Sequence, residues 1–377
     1  MPMDAATQSP RQHPRAAIVA VHAVAVLGLL ASGALPAQAR DTRQPPADLR
    51  DTGLYASWTE KRIRPDNLAF SPQYPLWTDG ATKRRWVHIP RGKWVDASRP
   101  DDWVFPPGTR FWKEFGFGRP VETRYIERLR DGTWLYATYV WSEDGSEARL
   151  APQLGVAVSH EIRPGVHHSI PGAADCRACH EGKTSPVLGF DALQLSPERD
   201  PLAPHGAALA ADEIDLRALV ARGLVRGLPA RFLAEPPRIV APTPAARAAI
   251  GYLHANCGGC HNDSGPLGPL GMSLAHALGA GQGEPAIRTT VGQPTRAPVP
   301  GLPAGDRQRI APGHPEASAV LLRMRSRHPL LQMPPLGTKL VDAEAVALLE
   351  RWIAEDLPAT PISPASKPQP NNEENRP

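Results

Sequence analysis

All four cysteines of the 377-residue chain fall in two pentapeptides of one form: CRACH at residues 176–180 and CGGCH at residues 257–261. C-x-x-C-H is the attachment sequence of c-type haem. Two thiols about one helical turn apart can form thioethers with the two vinyl groups of one porphyrin. The adjacent histidine then ligates the iron. The spacing predicts two covalently bound haem c groups. Cys176 and Cys179 hold one, with His180 on its iron, and Cys257 and Cys260 hold the other, with His261 on its iron. A zinc ribbon brings its CxxC pairs much closer in sequence and needs no histidine after each. A disulfide or redox dithiol suits an exported chain but leaves both histidines unexplained.

A haem iron held by histidine commonly takes methionine as its other axial ligand, which raises the potential. The stretch LLQMPPLGT (330–338) offers Met333 to the second iron, on a loop stiffened by two prolines. Met324 lies in a segment that reads as helix and is assigned to packing. No methionine follows His180 until Met272. The candidates for the first iron are therefore His160, His167, His168, His205 and Met272, and the alternative is five-coordinate iron. The stretch SPVLGFDALQLS (185–196) is apolar enough either to cover a porphyrin face or to fill a core.

The elements that must position these residues read as α+β. A β-rich domain, a small sheet or sandwich, is predicted over residues 40–160, and eight of the nine tryptophans lie there, between Trp58 and Trp141. VETRYIERL and WLYATYVW flank an Asp-Gly turn at residues 131–132, the signature of a hairpin. Its aromatics are expected in a core rather than a ligand cage. The first haem segment is placed at 161–235 and the second haem domain at 236–357, both mainly helical. Helices are predicted over 211–223, capped by Asp212; over 243–257, capped by Thr243 with Pro244 in the first turn; and over 341–356, capped by Asp342. Residues 280–308 read as loop, and the tail 358–377 as disordered.

Residues 1–39 read as a secretory signal peptide. Arg11 and Arg15 precede an apolar run from Ala16 to Leu30, and small residues at Ala37 and Ala39 mark a cleavage site. The run is short for a bilayer span, so the processed chain is expected in the periplasm and not membrane-spanning. A net charge of +4 with scattered basic residues gives no nucleic-acid footprint.

The C-terminal third, from about Thr243 to Leu357, resembles the class I cytochrome c superfamily. The likeness rests on the helix carrying GYLHANCGGCH, the MPPLGT loop and the closing LLERWI helix. The resemblance implies that the first and last helices cross closely, a glycine and aromatic on one meeting an aromatic on the other; Gly251, Tyr252 and Trp352 occupy the matching positions. The proline-rich stretch 280–308 departs from the small members of that superfamily. The whole chain looks like an exported bacterial two-haem cytochrome with an aromatic-rich β domain in front. It is expected to transfer electrons between redox partner proteins. The alternatives are a two-haem enzyme, peroxidase-like or a haem oxidase, with an open first haem, and a haem-bearing docking subunit of an oxidoreductase. No catalytic triad, phosphate loop or HExxH motif is present, and no catalytic residue is assigned.

Overall fold

A computed structural model describes residues 43–279 and 284–359. The predicted signal peptide, and the tail from residue 360, lie outside the described residues. The architecture is mixed α+β, with a β-rich N-terminal part followed by helices.

The main sheet has six antiparallel strands in sequence order. They are β1 (Leu68–Ala69), β2 (Thr82–His88), β3 (Arg110–Gly116), β4 (Pro120–Arg128), β5 (Trp134–Trp141) and β6 (Ala148–Leu150). The β4–β5 hairpin turns at Asp131-Gly132, where Gly132 takes φ +86°, a conformation costly for other residues. Alternation sorts the side chains onto two faces. One face buries Trp86, Trp112, Tyr125, Tyr139 and Trp141 in a core with Leu49 and Leu54. On the other face the row Val87–Phe111–Ile126 packs with Phe105 and Phe190. The next row on this face is Arg85–Lys113–Arg124–Thr138. The tryptophans here are largely core, as expected, although Trp94 is exposed.

A second hairpin, β7 (Val156–Arg163) and β8 (Val166–Ile170), carries β structure past residue 160 and delivers the chain to α1 (Ala173–His180). α2 (Leu216–Ala221) is shorter than expected. Its cap is Asp215, which accepts from the Ala218 N–H at 2.8 Å, rather than Asp212. Ile214 N–H donates to Ala69 O at 2.8 Å, which holds residues 213–214 against β1 and delays the helix. α3 (Pro244–Asn256) begins as predicted, with Thr243 Oγ1 accepting from Ala246 N–H at 3.0 Å. The stretch expected as loop contains α4 (Pro285–Thr290), capped by Glu284. α5 (Ala319–Arg325) and α6 (Ala343–Arg351, capped by Asp342) follow, and α6 runs on into a π-helical turn, Trp352–Asp356.

α3, α5 and α6 share one core through Ile250, Leu253, Leu321, Met324, Leu349 and Trp352. Tyr74, from the β-rich part, joins it. A Cβ placed on Gly251 would lie 2.1 Å from the Tyr74 ring. Gly251 thus admits Tyr74, while Tyr252 donates to Asp342, the cap of α6, at 3.1 Å. No helix of the described residues is long and apolar enough to cross a membrane.

Candidate functional site

Both pentapeptides sit at helix C-termini. Cys176, Cys179 and His180 form the last turn and a half of α1. Asp175 braces the start of that helix by accepting from the Gly172 N–H at 3.0 Å. α1 lies on β5, where Cys176 approaches Thr138 and the His180 ring sits 5.6 Å from that of Tyr136. His180 Nδ1 is 2.7 Å from the Pro186 carbonyl. A carbonyl only accepts, so Nδ1 carries the proton and Nε2 keeps its lone pair. Burial pushes the His180 pKa down to about 4, so the imidazole is neutral at physiological pH. A metal-ligating histidine requires both properties, and a carbonyl or carboxylate on the other nitrogen is the usual way to orient one.

Cys257 caps α3, with Cys260 and His261 in the turn beyond it; His261 N–H donates to Cys257 O at 2.8 Å. Asn262 fixes this turn by donating to Gly258 O and Gly259 O and accepting from the N–H groups of Ser264 and Gly265, at 2.8–3.1 Å. Leu274 N–H donates to His261 O at 2.8 Å, and a Cβ on Gly258 would lie 2.6 Å from His254 O. Burial, followed by the fields of Arg323 and Arg309, lowers the His261 pKa; its buried Nδ1 makes no hydrogen bond among the described residues.

The two turns meet. Cys260 Sγ is 3.9 Å from Ala178 O. A Cβ on Gly182 would lie 2.5 Å from Gly259 O, and one on Gly265 would lie 2.6 Å from Gly182 O. Only glycine allows backbones this close. Leu188 lies against the same crossing, 3.7 Å from a Cβ built on Gly259. The rest of 185–196 divides between two cores, Val187, Phe190, Ala192 and Leu195 in one and Leu193 in the other.

All four cysteines are free and partly exposed. Burial raises each thiol pKa, that of Cys257 to about 12. No cluster of three or more metal-ligating side chains forms among the described residues, so the four sulfurs do not converge on a tetrahedral site. Paired protonated thiols beside a neutral, oriented imidazole are the donor set that a haem c would use at the first motif. At the second, His261 offers the same chemistry without the carbonyl partner.

Met333 is half-buried on its loop. Its N–H donates to Arg323 O at 2.9 Å, and Arg327 donates to its carbonyl at 3.4 Å. The loop is thereby anchored to the end of α5, whose Arg323 side chain is close enough to His261 to depress its pKa. Met324 is buried at 5% exposure in the helical core.

The candidates for the first iron separate. His168 is buried and donates from Nε2 to Glu122 at 3.0 Å, with Asp79 3.9 Å from Nδ1. His205 lies between Asp342 at 2.8 Å and Glu344 at 3.2 Å. Met272 packs against the core that contains α3. His160 stacks on Phe117 at 5.5 Å, and His167 is half-buried on β8 opposite Glu161. Sequence reasoning missed the sheet residues under α1: Tyr136, Thr138, Arg124 and Lys113. Their one visible signal was the alternation of WLYATYVW, which puts Tyr136 and Thr138 on one face. No protein-family model, curated protein or solved structure matches this chain.

Proposed function

We propose that the protein is an exported two-haem c-type cytochrome that passes electrons between redox partners, with a C-terminal part of class I cytochrome c type. The observation that carries this reading is the contact between the two pentapeptides. Residues about eighty positions apart in sequence, Ala178 and Cys260, meet at 3.9 Å. Unrelated CxxC pairs have no reason to converge; two attachment sites for one electron path do. Each bound haem would supply a one-electron iron centre. The chain's part is to fix two thiols and one imidazole per site, to hold the His180 proton on Nδ1 through Pro186, and to keep the Met333 loop anchored to α5. The same reading makes Arg40 the first residue of the processed chain and the periplasm its compartment.

The test is intact mass and haem staining of denatured protein from a host with haem-maturation machinery, followed by rapid reduction with both centres followed spectrally. Two covalent haems that equilibrate with each other faster than either exchanges with a second molecule are expected. One haem or none, or two that fill independently, would overturn the reading.

A second reading, an enzyme that uses an open first iron, is favoured by the engagement of His168 and His205 with carboxylates. High-spin ferric iron that binds peroxide, and ferrous iron that binds carbon monoxide at one haem only, would select it.

A further inference from the structure

Beneath the first motif the sheet face carries four cations, Lys83, Arg85, Lys113 and Arg124, against one carboxylate of its own, Glu122. Arg85, Lys113 and Arg124 are direct cross-strand partners on β2, β3 and β4, and Arg124 is in turn the partner of Thr138, beside Cys176. Like charges directly opposite each other destabilise a sheet. Lys83, Lys113 and Arg124 also surround one buried ring, Phe115, at 5.9, 4.9 and 4.2 Å from its centre. An aromatic ring has two faces, so Phe115 does not balance three cations. Only Arg124 is paired, with Glu122 at 2.6 Å; Lys83, Arg85 and Lys113 form no ion pair among the described residues. Lys83 Nζ instead donates to the Ala81 carbonyl at 3.0 Å. Burial, then repulsion by Arg85 and Arg124, lowers the Lys83 pKa to about 7. Among the described residues this half-buried cluster has one ion pair for four cations, a surplus suited to a further anion.

Building on the two-haem reading, we propose that the Arg85–Lys113–Arg124 row, with Lys83 beside it, receives the propionate carboxylates of the haem held by Cys176 and Cys179. The row starts at the strand position next to Cys176 and crosses the sheet in steps of about 4.8 Å. The thioether carbons and the propionates occupy different edges of a porphyrin, so a surface that extends away from the cysteines is where carboxylates need partners. Arg supplies paired donors and Lys a point charge, both suited to carboxylate.

Lys113→Gln and Lys83→Gln in the intact holoprotein test this, with exposed Lys93→Gln as control. Two measurements are made on each: the number of covalent haems by mass, and both reduction potentials by spectroelectrochemistry. Removing a cation beside the carboxylates makes added negative charge less favourable. The reduced-to-oxidised ratio of one haem should therefore fall about tenfold at fixed applied potential, about 59 mV for one electron. The other haem and the Lys93→Gln control should hold their values. If either lysine variant fails to accumulate, the remaining one carries the test. A wild-type product with fewer than two haems would defeat the two-haem reading itself. Two haems with unshifted potentials, or with equal shifts at both, would overturn the carboxylate seat alone. Inorganic phosphate provides a further arm. A wild-type potential that moves with phosphate concentration, with the dependence lost in Lys113→Gln, would show a free anion on the row and would also overturn the proposal.

Discussion

On the two-haem reading, Met333 and His168 are the two residues whose substitution separates ligand from scaffold. Met333→Ala should leave both covalent attachments in place, because the thiols and His261 come from other segments. One haem should lose its long-wavelength sulfur-to-iron charge-transfer band and fall in potential. Met324→Ala should keep the band and cost about 2–5 kcal/mol of stability as a truncated core methionine. Spectra and denaturation curves of the two variants check this. His168 carries a pH signature. Burial alone would lower its pKa, but the Asp79 carboxylate 3.9 Å from Nδ1 and the hydrogen-bonded charge of Glu122 outweigh burial and the opposing field of Arg124 and raise it. The stability it contributes is full below the unfolded value of about 6.5 and is lost as pH rises through the folded value. His168→Gln should therefore cost more stability at about pH 5.5 than at about pH 8.5, a tenfold gain in proton affinity on folding being worth about 1.4 kcal/mol. An equal cost at both would show that His168 is already neutral. The two CxxCH pentapeptides stand out in the sequence because their spacing is chemistry in itself. The engagement of His168 and His205 does not, since their carboxylate partners, Glu122 and Asp342, lie 46 and 137 positions away.

Local signals read best in the elements that local chemistry builds. The Thr243-Pro244 start of α3, the Asp342 cap of α6 and the Asp131-Gly132 turn each appear where the sequence puts them. α2 starts late because a long-range bond from Ile214 to Ala69 competes with the helix, and no local pattern reports that. Gly251 shows the same limit. Its lack of a side chain was legible, but the ring that fills the space, Tyr74, lies far away in the β-rich part. Tyr74 also donates to Asp200 at 3.0 Å, and Arg247 of α3 holds the same carboxylate at 2.9 Å. Gly251→Ala should force that ring out of place and destabilise by about 1–3 kcal/mol, the range for overpacking. Tyr74→Phe keeps the ring and removes only the hydroxyl, so its cost should be smaller, about 0.5–1.5 kcal/mol. Denaturant titration of the two variants checks the order.

In the whole molecule the decisive contact is the crossing of the two pentapeptide turns. Gly182→Val would place a side chain where the Gly259 carbonyl now lies, 2.5 Å from the new Cβ. The two turns should separate while each keeps its cysteines and histidine. The expected result is unchanged haem number with slower equilibration between the centres, read by rapid reduction. Unchanged equilibration would mean that the crossing has no part in the electron path. The crossing could not be read from the sequence. Nothing in the residues around Gly182, Gly259 and Gly265 reports their mutual approach, which alone gives them a purpose.

Asp79 has a consequence for the timing of assembly. Its Oδ1 accepts from the N–H groups of Lys339 and Leu340, 260 and 261 positions downstream, at 2.7 and 2.9 Å. Val95–Asp96 likewise pairs in parallel with Val225–Arg226. A chain made from its N-terminus exposes Asp79 and Tyr74 long before their partners emerge. Ring closures of this span are slow, because the entropy of the loop is lost before the contact rewards it. The β-rich part therefore cannot reach its final packing until Lys339 and Leu340 have been delivered. On the two-haem reading, that leaves an interval in which both pentapeptides are still apart and open to haem attachment. A chain cut after residue 235 should lack the α3 surface at Gly251 that seats the Tyr74 ring and the Lys339 and Leu340 N–H groups that hold Asp79, and persist in the open form. Limited proteolysis of that fragment, set against the full chain, is the measurement: early cleavage around residues 74–79 is the expected pattern.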